Sequence, residues 1–362
     1  DKETVLTPWR VVNMHLGDCL GGFSFLEEKR EKAISQPQFI SQGKVTEEVF
    51  ATDTRILEIN SKSGLYPLYV TYSIFRNRVR EKYPNKEPNE LSIVQQQELW
   101  DKTVAENVFV LCKTPMAKSI TKRTLLGFRD AKVNTHYFED MVRQITQRPD
   151  KFIAKIRKGR SYWKANNNNN MKFNAIVGNP PYQDTNENTS DTPIYNHFYN
   201  ISFRISERVT FITPGRFLFN AGKTPKDWNK RMLNDEHFKV IWYESDSTNV
   251  FPNVDIKGGV AVTFRDANED FGVIGDFSPY PEVSSILTKI KHTKFHSLSE
   301  WVYPTESYRF TKSMHSDFPD AKGKLSRGHE YDLTTNIFEK LPEVFFDEKP
   351  DDSNEYIQII GR

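Results

Sequence analysis

Asn174-Ala175-Ile176-Val177-Gly178-Asn179-Pro180-Pro181-Tyr182 is a short apolar strand that runs directly into two consecutive prolines. Two pyrrolidine rings fix two φ angles and remove two backbone donors, so the strand must stop at Asn179. The same chemistry predicts that the carbonyls of Asn179 and Pro180 point outward with no ladder to join. Together with the Asn179 amide oxygen they form converging acceptors for an –NH2 group, and Tyr182 offers a ring face for a planar base. An unstacked nucleobase suits both. In isolation the tetrapeptide is equally compatible with a tight turn, and Pro-Pro-Tyr with an extended ligand of Pro-recognition domains. The apolar run before it buries the segment and argues against an exposed linker.

Outward from that strand, strands and helices alternate, the pattern of an α/β protein with a mainly parallel sheet and helices on both faces. Ile56 to Ile59 reads as the first strand. Asn60-Ser61-Lys62-Ser63-Gly64 then turns into a helix from about Leu65 to Arg80, with Leu68, Tyr72 and Phe75 spaced for one buried face. Val108 to Cys112 is a second strand, followed by a helix capped by Thr114, with Pro115 in its first turn and Met116, Ile120 and Leu125 facing inward. A helix is expected from about Phe138 to Ile156 and another from Tyr195 to Ile205. Val209 to Thr213, Val240 to Tyr243 and Gly259 to Phe264 read as later strands, the last entered through a Gly-Gly turn or bulge.

The chain of 362 residues, with 13% aromatics, is long enough to bury a full α/β domain and leave room for a second unit. Cys19 and Cys112 are its two cysteines, which leaves no disulfide framework or zinc spacing and points to a reducing, cytoplasmic setting. The eight histidines form no i, i+4 pair suited to a metal, so no metal site is expected. No apolar run approaches the roughly 20 residues of a membrane span, and the N-terminus carries no signal-like region. A net charge of +2 requires any nucleic-acid surface to be local. One candidate precedes the Asn166–Asn170 run of asparagines: Lys151, Lys155, Arg157, Lys158, Arg160 and Lys164, interleaved with Phe152, Tyr162 and Trp163. That composition suits a phosphate backbone, and it also suits a solvated helix face.

Asn179-Pro180-Pro181-Tyr182 resembles motif IV of the S-adenosylmethionine-dependent amino-methyltransferases, and the other blocks of the chain follow the gamma order of that family. Thr7-Pro8-Trp9-Arg10-Val11-Val12-Asn13-Met14 looks like motif X, with Thr7 as N-cap and Pro8 at the first helical position. Ile56 to Leu65 falls where motif I should cradle the cofactor, with Glu58 as the acid at the strand end and Gly64 matching the second glycine of the turn. Lys62 replaces the first glycine, where the backbone normally approaches the ligand. In motif II, Val108 to Pro115, Cys112 stands where the family has an acid for the ribose hydroxyls. Each hydrogen bond so lost costs on the order of 1 kcal/mol. Asn134 to Asp140 is the candidate region for motif III. Tyr195-Asn196-His197-Phe198 opens the helix after the catalytic loop, Phe211 to Phe217 resembles motif VI, and Val250 to Val260 resembles the closing segment of restriction–modification methylases.

The resemblance implies a Rossmann-like methyltransferase sheet over residues 1–275 and the start of a target-recognition or linker region over 276–362, where Trp301, Tyr303, Tyr308 and Arg309 are available for DNA. The segment Tyr356 to Arg362 reads as an apolar strand of a larger polypeptide. The activity implied is transfer of a methyl group from S-adenosylmethionine to the exocyclic amine of a flipped adenine in double-stranded DNA. Asn179, Pro180, Pro181 and Tyr182 are the implied catalytic residues. Thr7, Pro8, Glu58, Asn60, Ser63, Gly64 and Pro115 are the implied cofactor contacts. Further restriction domains or subunits are compatible partners. Two alternatives remain: the methylase part of a combined restriction endonuclease–methyltransferase, and a DNA-recognition module whose cofactor site has degenerated through Lys62 and Cys112.

Overall fold

The computed structural model describes residues 6–163, 170–184 and 192–291, and beyond these 296, 298, 301, 302, 307–353, 355, 356 and 358. The chain divides into two compact units, Asp1–Ser284 and Ser285–Arg362. In the first unit the elements run α1 (Trp9–Cys19), β1 (Gly22–Leu26), β2 (Ala33–Ile40), α2 (Lys44–Val49), β3 (Ile56–Ser61), α3 (Leu65–Lys82), α4 (Ile93–Asn107), β4 (Val108–Cys112), α5 (Pro115–Leu126), β5 (Asn134–Tyr137), α6 (Met141–Gln147) and α7 (Pro149–Ile156). They continue with β6 (Ala175–Gly178), β7 (Gln183–Asp184), β8 (Thr192–Pro193), α8 (Tyr195–Ile205), β9 (Arg208–Pro214), α9 (Lys226–Leu233), β10 (Phe238–Glu244) and β11 (Val260–Asp266).

Seven strands form one sheet in the order β10-β11-β9-β6-β3-β4-β5. The five from β9 to β5 in that order are mutually parallel, and β11 runs antiparallel between β9 and β10. Parallel neighbours need helical crossovers, which cover both faces. Alternate residues of each strand therefore enter opposite cores. Leu57, Ile59, Phe109, Leu111, Ile176 and Phe211 pack with α6, α7, α8 and α9, whereas Ile56, Val108, Val110, Val177 and Ile212 pack with α1, α3 and α5. Burial of each such side chain is worth roughly 1.5–3 kcal/mol, so the sheet is the rigid frame on which any site must stand. The α/β architecture expected above is the one observed.

Several expectations about helix faces need correction. On α3, Leu68 and Tyr72 are only half-buried, and Tyr66, Tyr69, Val70 and Ile74 are the residues that meet the sheet. The helix is sandwiched, since Phe75 and Val79 join Leu91 and Leu99 in a separate small cluster, so a single stripe does not describe it. On α5, Met116 is 72% exposed and Ile120 44% exposed, while Ala117, Thr121, Leu125 and Leu126 are inside. Thr114 does cap this helix, accepting from the Ala117 amide at 3.1 Å. The long helix expected from Phe138 to Ile156 is two helices. Arg148 leaves helical geometry at φ −138°, ψ 51°, and Pro149 starts α7 in the position where its missing donor costs nothing.

The second unit has its own small core of Ala321, Leu325, Ile337 and Leu341, packed by Phe310, Met314, Phe318 and Phe345. Trp301 and Tyr308 are exposed, and Arg309 pairs with Asp332 at 3.7 Å. Tyr303 and most of the Tyr356–Arg362 segment lie outside the described residues. No helix among the described residues is long and apolar enough to cross a membrane.

Candidate active site

The chain order reverses between β3 and β6, which are adjacent and parallel while β4 continues to one side of β3 and β9 to the other side of β6. Crevices open at the carboxyl ends of strands at such a reversal. Asn60 and Ser61 stand at the end of β3, with Glu58 two residues inside it, and Gly178 and Asn179 stand at the end of β6. The two ends approach closely because Gly178, at φ +149°, has no side chain. A Cβ there would lie 2.9 Å from the Ile59 carbonyl oxygen and 3.6 Å from Cγ of Glu58.

Asn60 takes the left-handed conformation at φ 71°, and its Nδ2 donates to the Asn179 carbonyl at 3.0 Å. The expectation that the Asn179 carbonyl projects freely toward a ligand is thus corrected: it is already engaged by Asn60. Pro180 is buried and Pro181 half-buried. The Asn179 side chain is buried, and its Nδ2 donates to Oγ1 of Thr7 at 3.0 Å. Thr7 is correspondingly no helix cap. Helix α1 begins at Trp9, and Pro8 occupies the cap position without a side-chain hydrogen bond. The spare hydroxyl of Thr7 meets the loop instead.

Asn179 Oδ1 and the Tyr182 hydroxyl are both buried without a hydrogen-bond partner among the described residues. The Tyr182 ring is half-buried and packs on the cluster that contains Val11, Tyr66 and Val177. Burial drives its phenol pKa upward, so it is a neutral donor at any ordinary pH. Beyond Tyr182 the chain forms a short hairpin of β7 with β8, tied back by the Ile194 amide donating to the Tyr182 carbonyl at 3.1 Å.

Glu58 is buried, one of its carboxyl oxygens lacks a partner among the described residues, and desolvation pushes its pKa up to about 8, although Ser61 and Lys62 oppose the shift. An acid held neutral beside a crevice is poised to ionise when a cationic group arrives. Gly64, at φ +78°, starts α3, and a Cβ there would sit 3.0 Å from both Thr121 Cα and Thr124 Cβ. The turn is therefore pressed against α5, where the Ser63 carbonyl accepts from Thr124 Oγ1 at 2.7 Å and Ser61 Oγ meets Thr121 Oγ1 at 3.0 Å. Cys112 is fully buried at the end of β4, and burial raises its thiol to about 12. It offers no charge for a ribose. Pro115 is exposed in the first turn of α5.

Residues 106–251 match the Eco57I restriction-modification methylase family. The match takes in β4 through β10, including Asn179 to Tyr182 and Cys112, and leaves Thr7, Glu58 and Asn60 outside it. The chain is also 30% identical over 95 residues, 25% of its own length, to an uncharacterized adenine-specific methylase of Mycoplasma pneumoniae, and that match spans 22% of the relative. Among solved structures it is similar to a nuclease-deletion mutant of the Type ISP restriction-modification enzyme LlaGI in complex with a DNA substrate mimic (TM-score 0.45, 12% identity, 81% of this chain and 26% of that one). It is likewise similar to the type I restriction-modification system methyltransferase subunit from Streptococcus thermophilus (TM-score 0.42, 11% identity, 79% and 52%).

The structure brings Thr7, Glu58, Asn60, Gly64, Asn179 and Tyr182 to one end of the β3/β6 pair. It also brings there three residues that sequence reading passed over: Tyr66 and His15, from α3 and α1, and Thr210, from β9. His15 Nδ1 lies 2.8 Å from the Tyr66 hydroxyl and Nε2 lies 2.7 Å from Thr210 Oγ1. The available signal was a polar residue on the apolar face of α1, among Val11, Val12, Leu16 and Cys19. The basic cluster is rearranged relative to expectation. Phe152 and Trp163 are core residues, Lys155 lies 4.5 Å over the Phe138 ring, and Arg157 donates to the Arg204 carbonyl at 2.7 Å. Two of the three rings are therefore buried, and the half-buried Tyr162 remains beside the charges, with Lys155 5.5 Å from its ring. Lys164 and residues 166–169 lie outside the described residues.

Proposed function

We propose that this chain carries the methyl-transfer domain of a restriction–modification enzyme and acts on the N6 amine of adenine in DNA, with S-adenosylmethionine as donor. The observation that carries the reading is the buried, unpartnered Asn179 Oδ1 at the reversal point of the sheet, within the segment that matches the methylase family. The residues present fit the cofactor. Glu58 supplies a buried acid with an acceptor that meets no other group among the described residues. The cofactor supplies an electrophilic methyl on a sulfonium.

Asn179 Oδ1 accepts one hydrogen of the adenine amine, and the Pro180 carbonyl is the second acceptor. Both draw the nitrogen lone pair away from the ring and toward the methyl. Asn60, by holding the Asn179 carbonyl, keeps the loop from sagging, which matters because small misplacements of reacting groups cost large factors in rate. Tyr182 rotates from its half-buried position when the base enters and stacks on it, returning roughly 1–3 kcal/mol toward the cost of flipping. Pro181 stiffens the turn between the two contacts.

The test is transfer of labelled methyl to adenine-containing duplex DNA by the purified chain, alongside calorimetric titration with S-adenosylmethionine. Transfer lost in Asn179→Ala, with cofactor binding kept, is the expected result. Wild-type protein that binds DNA but neither binds the cofactor nor transfers methyl would instead support a recognition module with a degenerate cofactor site, as the buried Cys112 and the Lys62 substitution suggest. DNA cleavage in magnesium would support the combined restriction enzyme.

A further inference from the structure

We propose that Arg216, with Phe219 beside it, is a contact for a backbone phosphate of DNA near the target nucleotide, held ready by two glycine turns. The inference rests on the methyl-transfer reading for the identity of the polymer, and on the geometry at the end of β9 for the site itself.

Strand β9 runs alongside β6, with Phe211 opposite Gly178, and continues to Pro214. It therefore carries the chain past the level of Gly178 and into the 3-10 turn Gly215–Phe219. That turn is anchored beside the catalytic loop. The buried Phe217 ring lies 6.2 Å from the ring of Tyr195, and the preceding residue, Ile194, donates its amide to the Tyr182 carbonyl. Residues three apart eclipse in a 3-10 helix. With Phe217 turned inward, Arg216 and Phe219 share the outer side, where both are exposed.

The residues that lead into β11 form the bed for Arg216. Val260 stands opposite both Pro214 and Glu244, so Gly258 and Gly259 enter between the ends of β9 and β10. The Gly215 amide donates to the Gly259 carbonyl at 2.9 Å, and the Tyr243 hydroxyl to the Gly258 carbonyl at 3.2 Å. Gly258 has φ +84°, and a Cβ there would lie 2.3 Å from Cγ of Arg216. Gly222 has φ +85°, and its Cβ would lie 3.4 Å from Cβ and 3.5 Å from Nε of the same arginine. The stem thus lies along two turns that leave it room only because they lack side chains. Part of the freedom of a long side chain is thereby removed before any ligand arrives.

The guanidinium of Arg216 makes no hydrogen bond or ion pair among the described residues. The same holds for the side chains of Lys223 and Lys257, both exposed and each next in sequence to one of the two glycines. Phe219, Tyr243 and Phe277 close a triangle of rings 5.4, 5.3 and 5.6 Å apart, which fixes Phe219 while leaving it 42% exposed. A planar cation with free donors, two further cations and a fixed ring suit a phosphodiester and the sugar or base attached to it.

The test is fluorescence-anisotropy titration of a labelled DNA duplex with the full chain over a series of salt concentrations. Arg216→Gln is expected to weaken binding about tenfold at low salt. It should also make the slope of log K against log salt shallower by about one, with the unfolding midpoint unchanged. Arg216→Lys keeps the slope, and Phe219→Ala weakens binding without altering it. Gly258→Ala lowers affinity in the wild-type background and not in Arg216→Gln, because its effect passes through the arginine. An unchanged slope in Arg216→Gln overturns the phosphate contact, whatever the affinity. Equal effects of Gly258→Ala in both backgrounds overturn the role of the glycine bed. Wild-type protein that binds no DNA at any salt removes this proposal together with the methyl-transfer reading. Protein that binds DNA without transferring methyl refutes that reading alone, and the salt slopes then still decide on Arg216.

Discussion

At the scale of single residues, Asn179 and Glu58 carry complementary burdens. Asn179→Ala removes the acceptor in the site and is expected to reduce transfer at least about 100-fold, the loss typical of one transition-state hydrogen bond. The loss of its bond to Thr7 costs only about 1 kcal/mol of stability, so urea unfolding should remain cooperative and nearly unshifted. Glu58 gives a pH signature. Its carboxyl is neutral below about pH 8, and binding a cationic cofactor beside it requires the proton to leave. Affinity should then rise as pH is raised toward 8, by up to about tenfold per unit, with proton release visible in calorimetry as a dependence on buffer ionisation enthalpy. Glu58→Gln should flatten this profile. Asn179 could be singled out from sequence because it ends an apolar strand before Pro-Pro, and Glu58 through the resemblance of its strand and Gly turn to a cofactor-binding motif. His15, Tyr66 and Thr210 could not. Their meaning lies in contacts between residues more than 50 positions apart, and each alone reads as an ordinary helix or strand residue.

At the scale of elements, the closeness of β3 and β6 depends on the glycine at the end of β6. Gly178→Ala forces a Cβ to within 2.9 Å of the Ile59 carbonyl at a φ of +149°. Backbone strain and the clash together should cost about 2–4 kcal/mol, read by chemical denaturation, and should cut transfer more than stability because the strand ends part where the site is built. Strands β3, β4 and β6, the helix α8 and the Thr114 cap were legible because apolar runs bounded by turn residues admit few readings. The buried faces of α3 and α5 were not. Helix α3 lies between the sheet and α4, so it has apolar residues on two sides, and a spacing of three or four cannot tell which side meets the sheet. The break at Pro149 was readable in principle, because proline opens helices more readily than it continues them.

At the scale of the whole molecule, two buried groups shape stability in opposite directions. The pKa of His15 falls from 6.5 in the open chain to about 3, so its contribution is full above pH 6.5 and is lost as pH falls toward 3. The pKa of Glu58 rises from 4.5 to about 8, so its contribution is full below pH 4.5 and is lost as pH rises toward 8. Their slopes cancel between about pH 4.5 and 6.5. Tm of Glu58→Gln minus that of wild type should therefore be flat below pH 4.5 and grow steadily up to about pH 8; a difference that shrinks over this range would contradict the burial of an uncompensated acid. The antiparallel strand β11 has a consequence in time as well as in space. Its register places Thr263 opposite Phe211, and the Thr263 carbonyl accepts from the Thr210 hydroxyl, which lies 2.7 Å from Nε2 of His15. A growing chain that has released α1, α3 and even the Asn-Pro-Pro-Tyr loop still lacks that carbonyl. Because non-local strand pairing is the slow part of folding, the buried polar row of His15 and Thr210 stays open at that end until the last stage of synthesis of this unit.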